Sequence, residues 1–199
     1  METVDFKNKP TLMGEKVQLR PFAEGDGEKM IAILEEVDVR RLTGSAVDDA
    51  EASQPMTEEQ KARTLAWYAN LNEQPDRLDL AIIDQESGEL IGEAVFNEYD
   101  DNAHNVNFRI LIGSAGQGQG LGTEAIRLFI RHGFETMGLH RIGLEVFSFN
   151  PRAERVYIKS GFVLEGIKRE DFAYNGTYID SKVYGMLRAD YDQVNTKLH

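Results

Sequence analysis

The chain reads as an α/β domain (α+β by some schemes), and three observations carry that reading. Segments with strand alternation are interleaved with segments of helical spacing from Lys16 to Leu187. Several neighbouring strand segments are joined by short turns of the kind that make strand pairs. A glycine-rich stretch, GQGQGLGTEA at 116–125, stands where an apolar strand segment gives way to a helical one. The 199 residues are 41% hydrophobic, enough for one substantial core. With no internal repeat, low-complexity block or long linker, the expectation is a single domain over 1–199 with its core at about 16–188.

KVQLRPF at 16–22 alternates, and Pro21 disfavours helix at the residue before it. GDGEKMIAILEEV at 25–37 sets Met30, Ile31, Leu34 and Val37 on one helical face. Thr43 to Pro55 is small, polar and without a period, so it reads as a loop near a binding opening. MTEEQKARTLAWYANL at 56–71 is a second helix, with Thr57 as cap and Gln60 placed to complete a capping box. Its Trp67 and Tyr68 either line an opening or anchor the helix to the sheet.

RLDLAIID at 77–84 and IGEAVFNEYD at 91–100, joined through ESGEL, form a strand pair, and VNFRILIG at 106–113 follows a turn at NAHN. From Thr123, the residues Ile126, Phe129, Ile130, Phe134 and Met137 recur at helical intervals up to Gly138. RIGLEVFSF at 141–149 is a strand. PRAERVYIKS at 151–160 is a short helix, with Asn150 as cap, Pro151 in first position and Gly161 closing it. FVLEGIKREDF at 162–172 and YIDSKVYGML at 178–187 pair through a turn near Asn175 and Gly176.

Thirty-four acidic residues against twenty-two basic ones leave a formal charge of -12, which disfavours nucleic acid and anionic lipid as partners. Such a field suits a cationic amine or a basic peptide, and it equally describes a solvated surface. Asp48, Asp49, Glu51, Glu58 and Glu59 concentrate that acid locally. There is no cysteine, hence no disulfide and no thiolate metal site, and His104, His132 and His140 build no metal cluster. No membrane-length apolar run and no secretion-type opening are visible, so a cytoplasmic protein without a bound metal is expected.

The glycine turn discriminates among ligands. A triphosphatase loop needs Lys and then Ser or Thr after its glycines, whereas Gly120 is followed by Leu121 and Gly122. Gly120, Gly122 and Ala125 satisfy a permissive dinucleotide spacing, but they follow three strands joined by short turns rather than opening an early βαβ unit. A purely structural turn is a third reading. The physically fuller one is a pyrophosphate cradle: Gly118, Gly120 and Gly122 let the backbone curl around an anion, and amides without acceptors at the helix start point at it. Thr123 adds a hydroxyl, and Gln117 either bonds a phosphate or braces the loop. This geometry needs little basic side-chain charge, which reconciles an anionic ligand with an acidic chain.

Gln117-Gly118-Gln119-Gly120-Leu121-Gly122 resembles the Q/R-x-x-G-x-G/A acyl-CoA motif of the GCN5-related N-acetyltransferase (GNAT) superfamily, and the likeness continues in Asn150, Ala153, Tyr157, Gly161 and Phe162 of NPRAERVYIKSGF. VQLRPFAEGD and IGEAVF further resemble the branch containing ribosomal-protein N-terminal acetyltransferases. The resemblance implies a mixed, mostly antiparallel sheet with flanking helices, and a splay between the strands at 106–113 and 141–149 that admits acyl-CoA. It implies acetyl transfer from acetyl-CoA to a primary amine, with a protein N-terminal amine favoured and a polyamine or other small amine as alternative. A homodimer is a further expectation. It places the backbone of Ile110 and Ile112 against pantetheine and adds Asn150 and Ala153 to the cofactor contacts.

Direct transfer requires removing a proton from the ammonium form of the amine and protonating the departing sulfur. The family position of Tyr157 implies the second role; packing of its ring is the competing explanation. Related chains often carry Glu near the start of the central strand, where this one has Asn105, which can bind substrate or orient water but cannot act as a carboxylate base. Glu98, at a strand end, is the preferred replacement, ahead of Glu93; Glu145 and His104 are further candidates. The same departure leaves a noncatalytic CoA-binding regulatory protein as the reading from a different class.

Overall fold

A computed structural model describes residues 4–196. Its strands are β1 (Leu12–Met13), β2 (Val17–Arg20), β3 (Leu78–Asp84), β4 (Leu90–Asp100), β5 (Asn105–Ile112), β6 (Arg141–Phe147), β7 (Val163–Tyr174) and β8 (Thr177–Leu187). They form one sheet in the order β1-β2-β3-β4-β5-β6-β8-β7. Every neighbouring pair is antiparallel except β5 and β6. The mixed, mostly antiparallel sheet expected from the resemblance is the one present.

The parallel pair is brief. Asn105 to Asn107 pair with Arg141 to Gly143, and no further partners join the two strands. Beyond that point β5 pairs with β4 alone, from Phe108 to Ile112, and the sheet opens between its two halves. The expected splay is therefore present.

Among the described residues seven α-helices flank the sheet: α1 (Asp26–Leu34), α2 (Val37–Leu42), α3 (Asp49–Ala52), α4 (Glu58–Asn70), α5 (Leu121–Arg131), α6 (Pro151–Lys159) and α7 (Arg188–Thr196). Two apolar clusters hold them. In one, Phe96 stacks on Phe129 of α5 at 4.1 Å between ring centroids, with Leu19, Leu80 and Ile82 around them. In the other, Met30 and Ile33 of α1 and Tyr68 of α4 meet Ala81 and Ile83. Alternate residues of β3 thus serve opposite clusters, which is why LAII is apolar without a break. Thr57 caps α4: its Oγ1 accepts from Gln60 N at 3.2 Å while Gln60 Oε1 accepts from Thr57 N at 2.8 Å.

Several sequence expectations need correction. The stretch from Thr43 to Pro55 is not all loop, because Asp48 caps the short α3 by accepting from Glu51 N at 2.7 Å. Val37 does not complete the apolar face of α1; it begins α2 and is exposed, and Ile33 takes its place in the core. The helix after the glycine turn starts at Leu121 rather than Thr123 and passes into a π turn over His132–Thr136. Among the described residues no helix is long and apolar enough to cross a membrane.

Candidate active site

The glycine turn lies at the open end of β5. Gly118 and Gly120 adopt φ of +83° and +82°, a left-handed region that residues with a Cβ seldom enter. Their torsions carry the chain from a short turn at Ser114–Gly116 into α5 and leave amides without carbonyl partners. Among the described residues Gly118, Gln119 and Gly120 donate to no acceptor, and Glu124 N is the first amide of α5 to find one, Gly120 O at 3.1 Å. Gln117 takes the bracing option: its amide oxygen accepts from Arg152 Nη1 at 2.5 Å, which ties the loop to α6.

An open cleft of about 990 Å³ runs from this loop through the gap between β5 and β6. Gln117, Gly118, Gly120, Gly122 and Thr123 line one end, with Ile110 and Ile112 of β5 beside them. From α6 come Ala153 and Tyr157, and from the residue before it Asn150. Asn150 also caps that helix, its Oδ1 accepting from Ala153 N at 3.1 Å. The cradle and the adjoining gap fit an extended ligand with a pyrophosphate, as coenzyme A is, held chiefly by main-chain nitrogen.

Tyr157 is buried, its ring edge-to-face with Phe162 at 5.9 Å. Its hydroxyl has no hydrogen-bond partner among the described residues, although it belongs to a side chain lining the cleft. Burial pushes the phenol up to about 12, so it holds its proton at neutral pH.

The other end of the cleft is built by register across three strands. Glu93 on β4 faces Ala81 on β3 and Leu111 on β5, while Asp79 and Arg109 face Val95 two residues along. Asp79 and Arg109 are therefore diagonal neighbours of Glu93 on one sheet face. Arg77 grips Asp79 with two bonds, of 2.6 and 2.7 Å, and lies 4.9 Å over the Trp67 ring. Tyr68 of α4 donates to Glu93 Oε2 at 3.1 Å. Burial, followed by repulsion from Asp79, pushes Glu93 up to about 7, against the pull of Tyr68, Arg109 and Arg77. Burial likewise raises Asp79, offset by Arg77.

Glu98 lines the same cleft as Glu93, although five residues separate them. The β4–β5 register breaks between Asn97 and Asp100, and Glu98 sits in that irregularity with φ +54°. Asn105 lies where β5 still pairs with β6, and it is Asn107, two residues along on the same face, that lines the cleft. Glu145 lines the cleft and is paired with Lys168. His104 lies away from it, buried in the β4–β5 turn with Nδ1 3.2 Å from the Tyr99 hydroxyl. The acidic group at 48–51 is engaged locally: besides the Asp48 cap, Asp49 accepts from Tyr174 and Asn175.

Sequence reasoning ranked Glu93 second and passed over Asp79 and Arg109. A signal was present, since both carboxylates interrupt apolar runs, LDLAII and IGEAVF, on central strands.

An amide cradle at a strand-to-helix turn, opening into a gap between two parting strands, is the arrangement that an acyl-CoA-dependent transferase requires. The acetyltransferase (GNAT) domain family matches residues 16–163, and the chain belongs to that family. It is accordingly an acetyl-CoA-dependent N-acetyltransferase. An uncharacterised N-acetyltransferase of Bacillus subtilis, YoaA, is 27% identical over 179 residues, covering 90% of this chain and 97% of the relative. Spermidine N(1)-acetyltransferase of Vibrio cholerae is 32% identical over 110 residues, 55% of this chain and 64% of the relative. The crystal structure of V. cholerae spermidine N-acetyltransferase in complex with CoA and spermine shares the fold, with a TM-score of 0.74 at 24% identity over 89% of this chain and 99% of that one.

Proposed function

We propose that the chain, acting as one domain, acetylates a primary amine on an acceptor that carries further positive charge, with Glu93 as general base and Tyr157 as general acid. The observation that carries this reading is that one cleft is lined at one end by the amide cradle and at the other by a carboxylate titrating near neutrality. Acetyl-CoA supplies an activated acyl group and a thiolate leaving group. Residues 117–123 hold its pyrophosphate, and Ile110 and Ile112 present β5 backbone to the pantetheine. The Glu93 carboxylate takes a proton from the ammonium, directly or through one water, and releases the nitrogen lone pair for attack. As the C–S bond breaks, the Tyr157 hydroxyl protonates the departing sulfur, and the second proton lost by the acylated nitrogen restores the phenol. Glu98, the base preferred from sequence, serves acceptor binding in this reading, and Asn107 takes the role expected of Asn105.

The charge of the cleft supports the acceptor class. Asp79 and Glu93 are offset by Arg77 and Arg109 in one part of the cleft, whereas Glu98, Glu145 and Asp171 gather around Lys168 in another. An acceptor with a second cationic group away from the reacting nitrogen meets that excess, as a polyamine does. A protein N-terminal amine, the acceptor suggested by the ribosomal-protein branch resemblance, meets it when the residues that follow are basic. The test is release of CoA from acetyl-CoA across polyamines, monoamines and peptides with basic or acidic N-terminal sequences. Faster turnover of the polycations supports the reading. Equal rates for monoamines and acidic peptides remove the charge argument, and CoA binding without turnover of any amine favours the noncatalytic alternative.

A further inference from the structure

The geometry points to Lys16 as the residue that binds the 3′-phosphate of the cofactor ribose, an inference that rests on acetyl-CoA lying along residues 117–123. Lys16 precedes β2, far in sequence from the glycine turn, yet its Nζ lies 3.3 Å from the carbonyl oxygen of Gln119. It also stands 3.9 Å from where a Cβ on Gly120 would be. This approach is built by the fold. Glu124, in the first turn of α5, accepts from the amides of Glu15 and Lys16 at 2.5 and 2.9 Å. From the other side, Gln85 N donates to Lys16 O at 2.9 Å, and the Gln85 side chain donates to Gly14 O and Val17 O at 2.8 and 3.0 Å. The turn before β2 is thereby strapped to the cradle, and its lysine is carried with it.

The charge of Lys16 is left uncommitted. Lys29, Lys61, Lys168 and Lys182 each have a carboxylate within ion-pair distance, whereas among the described residues Lys16 has none, in a chain whose formal charge is -12. Among the described residues its ammonium has one hydrogen-bond partner, the Gln119 carbonyl oxygen, in a loop whose Gly118, Gln119 and Gly120 amides have no acceptor. An ammonium and free amides together make a site for an anion.

Position decides which anion. Lys16 is exposed and does not line the cleft, where the pyrophosphate and pantetheine lie in this reading; Arg152, which does line it and braces Gln117, stands on that side. A phosphate met from outside the cleft is the one that branches from the ribose.

The experiment is calorimetric binding of CoA and 3′-dephospho-CoA to the wild type, Lys16→Ala and Lys16→Arg, which needs no knowledge of the acceptor. The wild type is expected to bind CoA about fivefold to tenfold more tightly than the dephospho form, as suits one exposed charge-assisted contact. Lys16→Ala should lose that preference while binding dephospho-CoA as the wild type does; Lys16→Arg should keep it, and added salt should shrink it. A Lys16→Ala penalty of equal size for both ligands means that the lysine only shapes the loop, and overturns the inference. So does an unchanged preference for CoA. Failure of the wild type to bind either ligand instead removes the cradle reading beneath it.

Discussion

The Tyr68 hydroxyl reaches Oε2 of Glu93 across 3.1 Å, joining α4 to β4 where Glu93 lines the cleft. This bond and the arginines nearby do not offset burial and Asp79, and Glu93 titrates at about 7. A base must be ionised, so kcat/KM should rise with pH through about 7. Glu93→Gln should lower it by roughly a hundredfold or more and flatten that limb. Stability should move oppositely. The folded value lies above the ordinary carboxylate range, so this contribution is full below that range and fades as pH rises through about 7. Urea denaturation at pH 5 and pH 8 should show the variant losing less stability than the wild type over that interval. A variant that keeps the pH-dependent limb removes Glu93 as base.

Asp79 acts on Glu93 through space, from the diagonal position on β3. Asp79→Asn removes the repulsion and leaves Arg77 without its carboxylate, and both changes favour the ionised form of Glu93. The acidic limb of the pH profile should move down by roughly half to one pH unit, an ordinary size for a neighbouring charge. A limb that stays in place or moves up contradicts the coupling. The same profile in Glu98→Gln should keep its midpoint, with the change confined to the acceptor KM.

Tyr157→Phe keeps the ring that packs on Phe162 and removes only the hydroxyl. A phenol pushed up to about 12 remains a donor throughout the working range, so the loss should fall on kcat, about a hundredfold, with little change in thermal stability or in the KM for acetyl-CoA. An unchanged kcat at saturating cofactor would leave Tyr157 as a wall residue.

How much of this could be read from the chain alone depends on how local the signal is. Gln117 to Gly122 and Asn150 to Tyr157 each lie within one contiguous segment, so spacing alone places them on a loop and a helix face. Glu93, Asp79 and Arg109 meet only through the register of three strands, which a one-dimensional pattern does not contain. Asn105 and Asn107 share a face, and choosing between them requires knowing where β5 leaves β6. Helix α3, four residues long, is shorter than any window in which helical spacing shows, and the two-residue β1 is likewise too short to announce itself. Tyr191 of α7 is buried against distant segments, stacking on Phe134 at 5.0 Å and donating to Glu135 at 2.6 Å.

The spacing of β4 and β5 gives a test of the scaffold itself. Gly92 faces Ile112, and a Cβ added there would stand 2.0 Å from the Leu111 carbonyl oxygen and 3.1 Å from Ile112 Cα, both backbone atoms that cannot rotate away. Gly92→Ala must push the end of β5 aside, and that end leads through Gly113 into the cradle. Overpacking against backbone should cost about 3 kcal/mol or more, with weaker CoA binding in whatever protein remains folded. Gly166 on β7 is the control: a Cβ there meets nothing within 4 Å, so Gly166→Ala should stay within about 1 kcal/mol of the wild type. Chemical denaturation of the two variants side by side separates crowding from the entropic effect of replacing any glycine. Equal stability of the two would mean that β4 and β5 do not approach as closely at Gly92 as the structure has them, and the placement of the cradle at the end of β5 would fall with that spacing.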